Sequence, residues 1–246
     1  MKQFSVKHPV IFGIILIVAA FAAAALITAV FASAGLPSET ATTLSRILVG
    51  VILLFVFRET FPRGRAGRGL LWGLPALIFV LWNIVYHLSA GASFAGSGVL
   101  GSAFVAALAP AIFEEVLFRG ILIGKLRENG QSPLAALLIS AVIFGAVHLT
   151  NGISGDMLNV LVQVGYAFVV GLVFGAVYLK TGDLFSVMLF HFLIDFSSHL
   201  FVSEPTTSSA GTIAVFALVL LCAAVYSLVI TLKQSAPESD RHFGAE

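Results

Sequence analysis

Six ionisable side chains sit where the chain is otherwise apolar: Glu114, Glu115, Arg119, His148, His191 and Asp195. A charged group deep in a bilayer costs at least ~2.5 kcal/mol on insertion scales, so groups of this kind mark functional sites. In the stretch Ala-Pro-Ala-Ile-Phe-Glu-Glu-Val-Leu-Phe-Arg-Gly, residues 109–120, Glu115 and Arg119 stand four apart. That spacing puts them on one helix face, where they pair. Glu114 is turned ~100° away at 3.6 residues per turn. One carboxylate is thus neutralised and the other left free. A packing network has no need of a second, unpaired carboxylate, and burying one is costly. Phe144 and His148 are again four apart, so the phenyl ring can wall one side of the imidazole. His191 and Asp195 share a helix face by the same spacing. Taken singly, His148 reads as a core histidine bonded to a carbonyl, and His191–Asp195 as an intrahelical hydrogen bond. Taken together, they offer chemistry. A free carboxylate beside an imidazole can take a proton from water, and the activated water attacks a carbonyl. Two imidazoles and two carboxylates are also a plausible ligand set for zinc. The pair His191 and Asp195 could hold an oxyanion or complete such a set.

The elements that must position these groups are membrane spans. Of the 246 residues, 59% are hydrophobic and 10% charged, against roughly 25% charged in a soluble domain. Lipid must cover most of the outside. The net charge of +1 gives no electrostatic case for nucleic acid. In hydrocarbon every N–H and C=O is paired internally, so the apolar runs are helices. A crossing takes roughly 20 apolar residues, and eight segments qualify: 9–32, 44–57, 70–89, 98–124, 133–149, 158–179, 184–202 and 212–232. The expected fold is all-α: a polytopic membrane protein of about eight transmembrane helices around a polar cavity. It forms one domain over 1–246, with a core at 98–202 and a disordered polar tail over 234–246. No internal repeat, Gly-rich phosphate loop or His-Glu-x-x-His helix is present. The single cysteine, Cys222, lies in an apolar run, allows no intrachain disulfide, and reads as a small buried hydrophobe. Lys2, Lys7 and Ala32-Ser33-Ala34 have the look of a signal peptide. The apolar run exceeds the 7–15 residues of a signal h-region, so a retained helix is expected.

Loop charge sets orientation. Lys2 and Lys7, then Arg58, Arg63, Arg65 and Arg68, then Lys125 and Arg127, then Lys180, then Lys233 and Arg241 fall on every second side. The intervening sides are nearly empty, with Arg46 at the edge of the second segment. Eight crossings with both termini cytoplasmic explain the alternation, in a cell membrane. Counting ~1.5 Å per residue from the cytoplasmic ends places Glu114 roughly 15 Å, His148 roughly 22 Å, His191 roughly 11 Å and Asp195 roughly 16 Å deep. All four fall in one slab, so one cavity opening toward the cytoplasm is expected. His87 and His199 lie nearer segment ends, where a histidine can sit at the interface.

Glu-Glu-x-x-x-Arg, Phe-x-x-x-His and His-x-x-x-Asp/Asn occur in that order on separate segments, spanning residues 114–195. This series resembles the CPBP family, the CAAX prenyl endopeptidases and bacteriocin-processing intramembrane proteases. The resemblance implies that Glu114 activates water with His148 as its partner. Glu115 and Arg119 would be the supporting ion pair, with Phe144 beside His148. His191 and the residue four on would stabilise the oxyanion or, with Glu114 and His148, bind a divalent metal such as zinc. In the prenyl-processing branch that last position is Asn; here it is Asp195. An ionised Asp cannot donate to an oxyanion, so Asp195 is protonated, or binds metal, or orients His191, and the expectation leans to a metal-capable site. The implied partners are membrane lipid and a membrane-associated protein or peptide substrate.

Other readings compete. Gly152-Ile-Ser-Gly155 matches a rhomboid-type serine pattern with His191 or His199 as base, but it reads better as a turn and leaves Glu114 unexplained. Intramembrane Glu, His and Asp also suit a proton- or ion-coupled transporter, though no inverted repeat is visible. A non-catalytic immunity or scaffold protein of the same fold is the third.

Overall fold

The computed structural model describes residues 7–62, 66–89, 91–153, 157–202 and 210–234. Eight helical elements carry them: α1 Pro9–Ser33, α2 Ser38–Val56, α3 Leu70–Ser89, α4 Ser97–Glu128, α5 Pro133–Val147, α6 Met157–Thr181, α7 Leu184–Ser198 and α8 Ala210–Leu232. Seven are long and apolar enough to cross a membrane, α5 when its 3₁₀ extension is included. The protein is an all-α, multi-pass membrane protein. At 15 residues, α7 is about 22 Å long, shorter than a hydrocarbon core of ~30 Å.

Local chemistry explains the helix ends. Pro9 and Pro133 occupy the first helical turn, where a missing N–H costs nothing. Ser132 caps α5, its hydroxyl accepting from Ala135 N–H at 3.1 Å. Asp183 caps α7, accepting from Ser186 N–H at 3.1 Å, and also accepts from Gly69 N–H at 2.7 Å. One carboxylate therefore starts α7 and anchors the α2–α3 connection to it. Gly182, with φ +66°, makes the left-handed turn between α6 and α7 that a Cβ would oppose.

Three boundaries depart from the sequence expectation. The second helix starts at Ser38, six residues early, and the hydroxyls of Thr42 and Ser45 donate to the carbonyls of Ser38 and Ala41 in this added stretch. The seventh ends at Ser198, since residues beyond it pair with the α3–α4 connection instead. Ala95 N–H donates to Leu200 at 2.9 Å and Val202 N–H to Ser93 at 3.1 Å. The fourth loses α geometry over Val116–Ile123, which is π-helical.

Small residues set the helix crossings, as is usual where lipid is the solvent. A Cβ on Gly50 of α2 would sit 3.0 Å from Ile112 and 3.1 Å from Phe113 of α4. One on Gly171 of α6 would sit 3.2 Å from Ala141 and 3.3 Å from Phe144 of α5. The lipid-facing side is apolar, as at Leu218 and Leu221 of α8. Cys222 is on that side: it is exposed, not buried as expected, because α8 buries little of its surface.

The bundle has two unlike ends. At one, Gly69 meets Asp183, and the first helix meets the end of α4, where Leu122 occupies the space a Gly13 Cβ would need. Apart from Arg46 and Arg119, the described Lys and Arg residues all belong to this end: Lys7, Arg58, Arg68, Lys125, Arg127, Lys180 and Lys233. At the other, Ser93 and Ala95 meet Leu200 and Val202, and the α1–α2 and α5–α6 connections lie on the same side. Lys2, Arg63, Arg65, Pro205, Arg241 and the polar tail from residue 235 lie outside the described residues.

Candidate active site

Glu115 and Arg119 form the buried pair that their spacing implied. Arg119 Nη1 donates to Glu115 Oε1 at 2.7 Å, and both side chains are 0% exposed. Arg119 is held on three further sides. Its Nη2 lies 3.4 Å from the Gly171 carbonyl, and its guanidinium stacks 4.3 Å from the Phe144 ring and 5.4 Å from that of Phe174. Each ring adds a cation–π attraction of about 0.5–2 kcal/mol, which offsets part of the cost of burying the charge.

Glu115 makes a second contact that sequence spacing could not reveal. His191 Nδ1–H of α7 donates to the same Oε1 at 2.7 Å. The other nitrogen, Nε2, lies 3.4 Å from Asp195 Oδ2 and 4.0 Å from Glu114 Oε2. The Phe174 ring, 5.6 Å away, covers the His191 ring, and Phe144 meets it edge-on at 6.2 Å. His191 is therefore fixed in orientation, its Nε2 turned toward Glu114 and Asp195.

His148 stands where α5 ends and its 3₁₀ extension begins. Its Nδ1–H donates to the Phe144 carbonyl at 2.8 Å, and the Phe144 ring lies 5.2 Å away. The bland reading of His148, a carbonyl-bonded histidine, is thus half correct. That bond fixes the tautomer and leaves Nε2 as an acceptor.

Glu114, His148, His191 and Asp195 line one cavity of about 240 Å³, together with Phe21, Arg46, Pro110, Thr150, Asn151 and Gln163. Glu114 is 8% exposed and lies within electrostatic reach of both histidines, Asp195 and Arg46. Two helices that the motifs do not include help to build the cavity. Phe21 comes from α1, where it packs on Phe113 at 5.0 Å, and Arg46 comes from α2. Arg46 reads in sequence as a loop-edge charge, and its place beside Glu114 is the residue that sequence reasoning missed. The signal was available: it is the one basic residue on a side otherwise free of them.

Thr150, Asn151 and Gln163, all exposed and near the α5–α6 connection, line the cavity, which places its exposed lining toward the charge-poor end of the bundle. The expectation that it opens toward the cytoplasm therefore conflicts with the expectation that the basic ends are cytoplasmic. The cause is the count from the helix ends: it gave depth but assumed entry from the basic side. His87, placed near an interface by sequence, is buried, donates from Nδ1 to Asn83 O at 2.7 Å and stacks on Phe201 at 4.6 Å. Ser154 and Gly155 of the serine pattern lie outside the described residues. Among the described residues, no group of three or more His, Cys, Asp or Glu side chains is arranged to hold a metal ion.

A membrane bundle that sets an uncommitted carboxylate beside two imidazoles defines a candidate intramembrane hydrolase. Residues 96–197 match the family model described as Rce1-like, type II CAAX prenyl endopeptidase. That stretch contains all three motifs and is similar to the CPBP-type intramembrane proteases. The match supports, at the level of the family, an intramembrane endopeptidase acting on a protein or peptide within a lipid environment. No curated protein and no solved structure matched the chain.

Proposed function

We propose that the protein hydrolyses a peptide bond of a membrane-associated protein or peptide with a water activated by Glu114 and His148. The observation that carries this reading is that Glu114 faces the cavity while its neighbour Glu115 is consumed by Arg119 and His191. Water held between the Glu114 carboxylate and the free Nε2 of His148 loses a proton as its oxygen bonds to the scissile carbonyl carbon. The carbonyl π pair moves to oxygen. Collapse of that tetrahedral species expels the amine, which takes the proton back. Glu115 and Arg119 hold His191 in place, and Asp195 turns its Nε2 toward the cavity.

The steps above are written without a metal. His191 donates from Nδ1 to Glu115, an arrangement that leaves Nε2 open to a proton or to a metal alike, so the zinc expectation stands beside this route. Chelation tests the zinc expectation directly. We place both termini in the cytoplasm on the charge rule, which puts the cavity mouth on the opposite face.

The competing transporter reading needs a gradient; hydrolysis does not. Purified protein in detergent is incubated with membrane peptides, and products are read by mass spectrometry. Cleavage without any gradient is expected. Its absence, alongside ion-coupled uptake in vesicles, would make the protein a transporter.

A further inference from the structure

Arg46 is a cation in a place where two rules oppose one. A guanidinium within a span is costly, and the charge bias disfavours a basic residue at this end of the bundle. Its position is interior to α2: Gly50, one turn further along, packs on Ile112 and Phe113. Arg46 is thus level with Pro110, and both line the cavity one turn from Glu114. Among the described residues, ion pairs join Arg58 to Glu59, Arg119 to Glu115, Lys125 to Glu128 and His191 to three carboxylates; Arg46 is in none.

Hydrolysis by an activated water needs a partner for the charge that develops on the carbonyl oxygen. Among the other polar groups lining the cavity, Thr150 Oγ1 donates to the Val147 carbonyl and Asn151 Nδ2 to Gln163 Oε1, and the Asn151 and Gln163 amides are neutral. Arg119 is 0% exposed and bound to Glu115, and His148 Nδ1 is bound to the Phe144 carbonyl. His191 Nε2 faces the oxygens of Asp195 and Glu114. Asp195, when ionised, only accepts. The one uncommitted group that is donor-only and always charged is the Arg46 guanidinium.

We propose that Arg46 is the electrophile of the reaction, its guanidinium stabilising the oxyanion that forms when water adds to the scissile carbonyl beside Glu114. The water oxygen bonds to carbon, the C=O π pair becomes the oxyanion held by Arg46, and the water proton goes to Glu114. Re-formation of C=O expels the amine with that proton. This assignment rests on the proposed endopeptidase reading.

The test compares full-length wild type with Arg46→Gln, Arg46→Lys and Glu114→Gln, measuring kcat, KM and detergent melting for each. Removal of one oxyanion donor typically costs 10²–10³ in kcat. Arg46→Gln is expected to lose about that factor with KM and melting near wild type. Arg46→Lys keeps part of the rate, and millimolar guanidinium restores rate to Arg46→Gln but not to Glu114→Gln. Three results would overturn the proposal: an unchanged kcat, a change confined to KM, which makes Arg46 an anchor for a substrate anion, or a kcat loss matched by lost melting temperature. Wild-type hydrolysis by Glu114→Gln removes the endopeptidase mechanism itself, and this assignment with it. A dead Glu114→Gln beside a fully active Arg46→Gln removes only the assignment.

Discussion

Exchanging Glu115 for Gln takes the charge from a carboxylate that two cationic or donor groups share. Arg119 is then a buried cation without its counter-charge, a loss on the order of 3–5 kcal/mol. Glu114→Gln removes a group that faces only the cavity and should melt close to wild type. Melting curves of the two variants in detergent separate them; equal destabilisation would mean the carboxylate roles are wrongly assigned. Asp195 decides the metal question. In the metal-free route, chelators leave activity intact, and Asp195→Asn preserves or raises it, because the amide adds a donor beside His191. Activity that falls on chelation, returns with zinc and is weakened in Asp195→Asn would make Asp195 a ligand. At this scale the sequence was legible where partners lie within one helical turn, as with Glu115 and Arg119 or Phe144 and His148. It was silent on the bond between Glu115 and His191, 76 residues apart, because no local period encodes it.

Helices position these groups by close approach. Gly73 of α3 leaves its space to the Phe190 ring of α7, next to His191. Gly73→Val overfills that contact, a cost of about 1–3 kcal/mol, and displaces α7 from α3, shifting His191 beside it. Hydrolysis should fall by more than the loss of folded protein explains; melting and rate measured on the same preparation check this. Rate loss that only tracks melting would mean that α7 position is not critical. The eight helices were legible because lipid demands long apolar runs and charge demands alternation. Two features were not. The π-helical stretch after Glu115 is fully buried, and such stretches gather at functional sites. The early end of α7 arises from the pairing of Phe201 with Phe94 across more than a hundred residues.

At the scale of the whole molecule, the unlike ends of the bundle make a prediction about sidedness. In a Cys222→Ala background, Asn151→Cys at the cavity rim should react with an impermeant maleimide on intact cells. Lys125→Cys should react only after permeabilisation. The reverse pattern would place the cavity in the cytoplasm and invert both termini. Sequence gave depth but not the side of entry, because entry depends on which connection forms the rim. The central claim is that this one cavity holds an endopeptidase centred on Glu114 and His148. Its most direct test is peptide hydrolysis by purified wild type, Glu114→Gln and His148→Ala at matched folded concentration. Each substitution should lower kcat by about 10²–10⁴-fold, the range of general acid–base catalysis. A Glu114→Gln enzyme that cleaves at the wild-type rate would contradict the account.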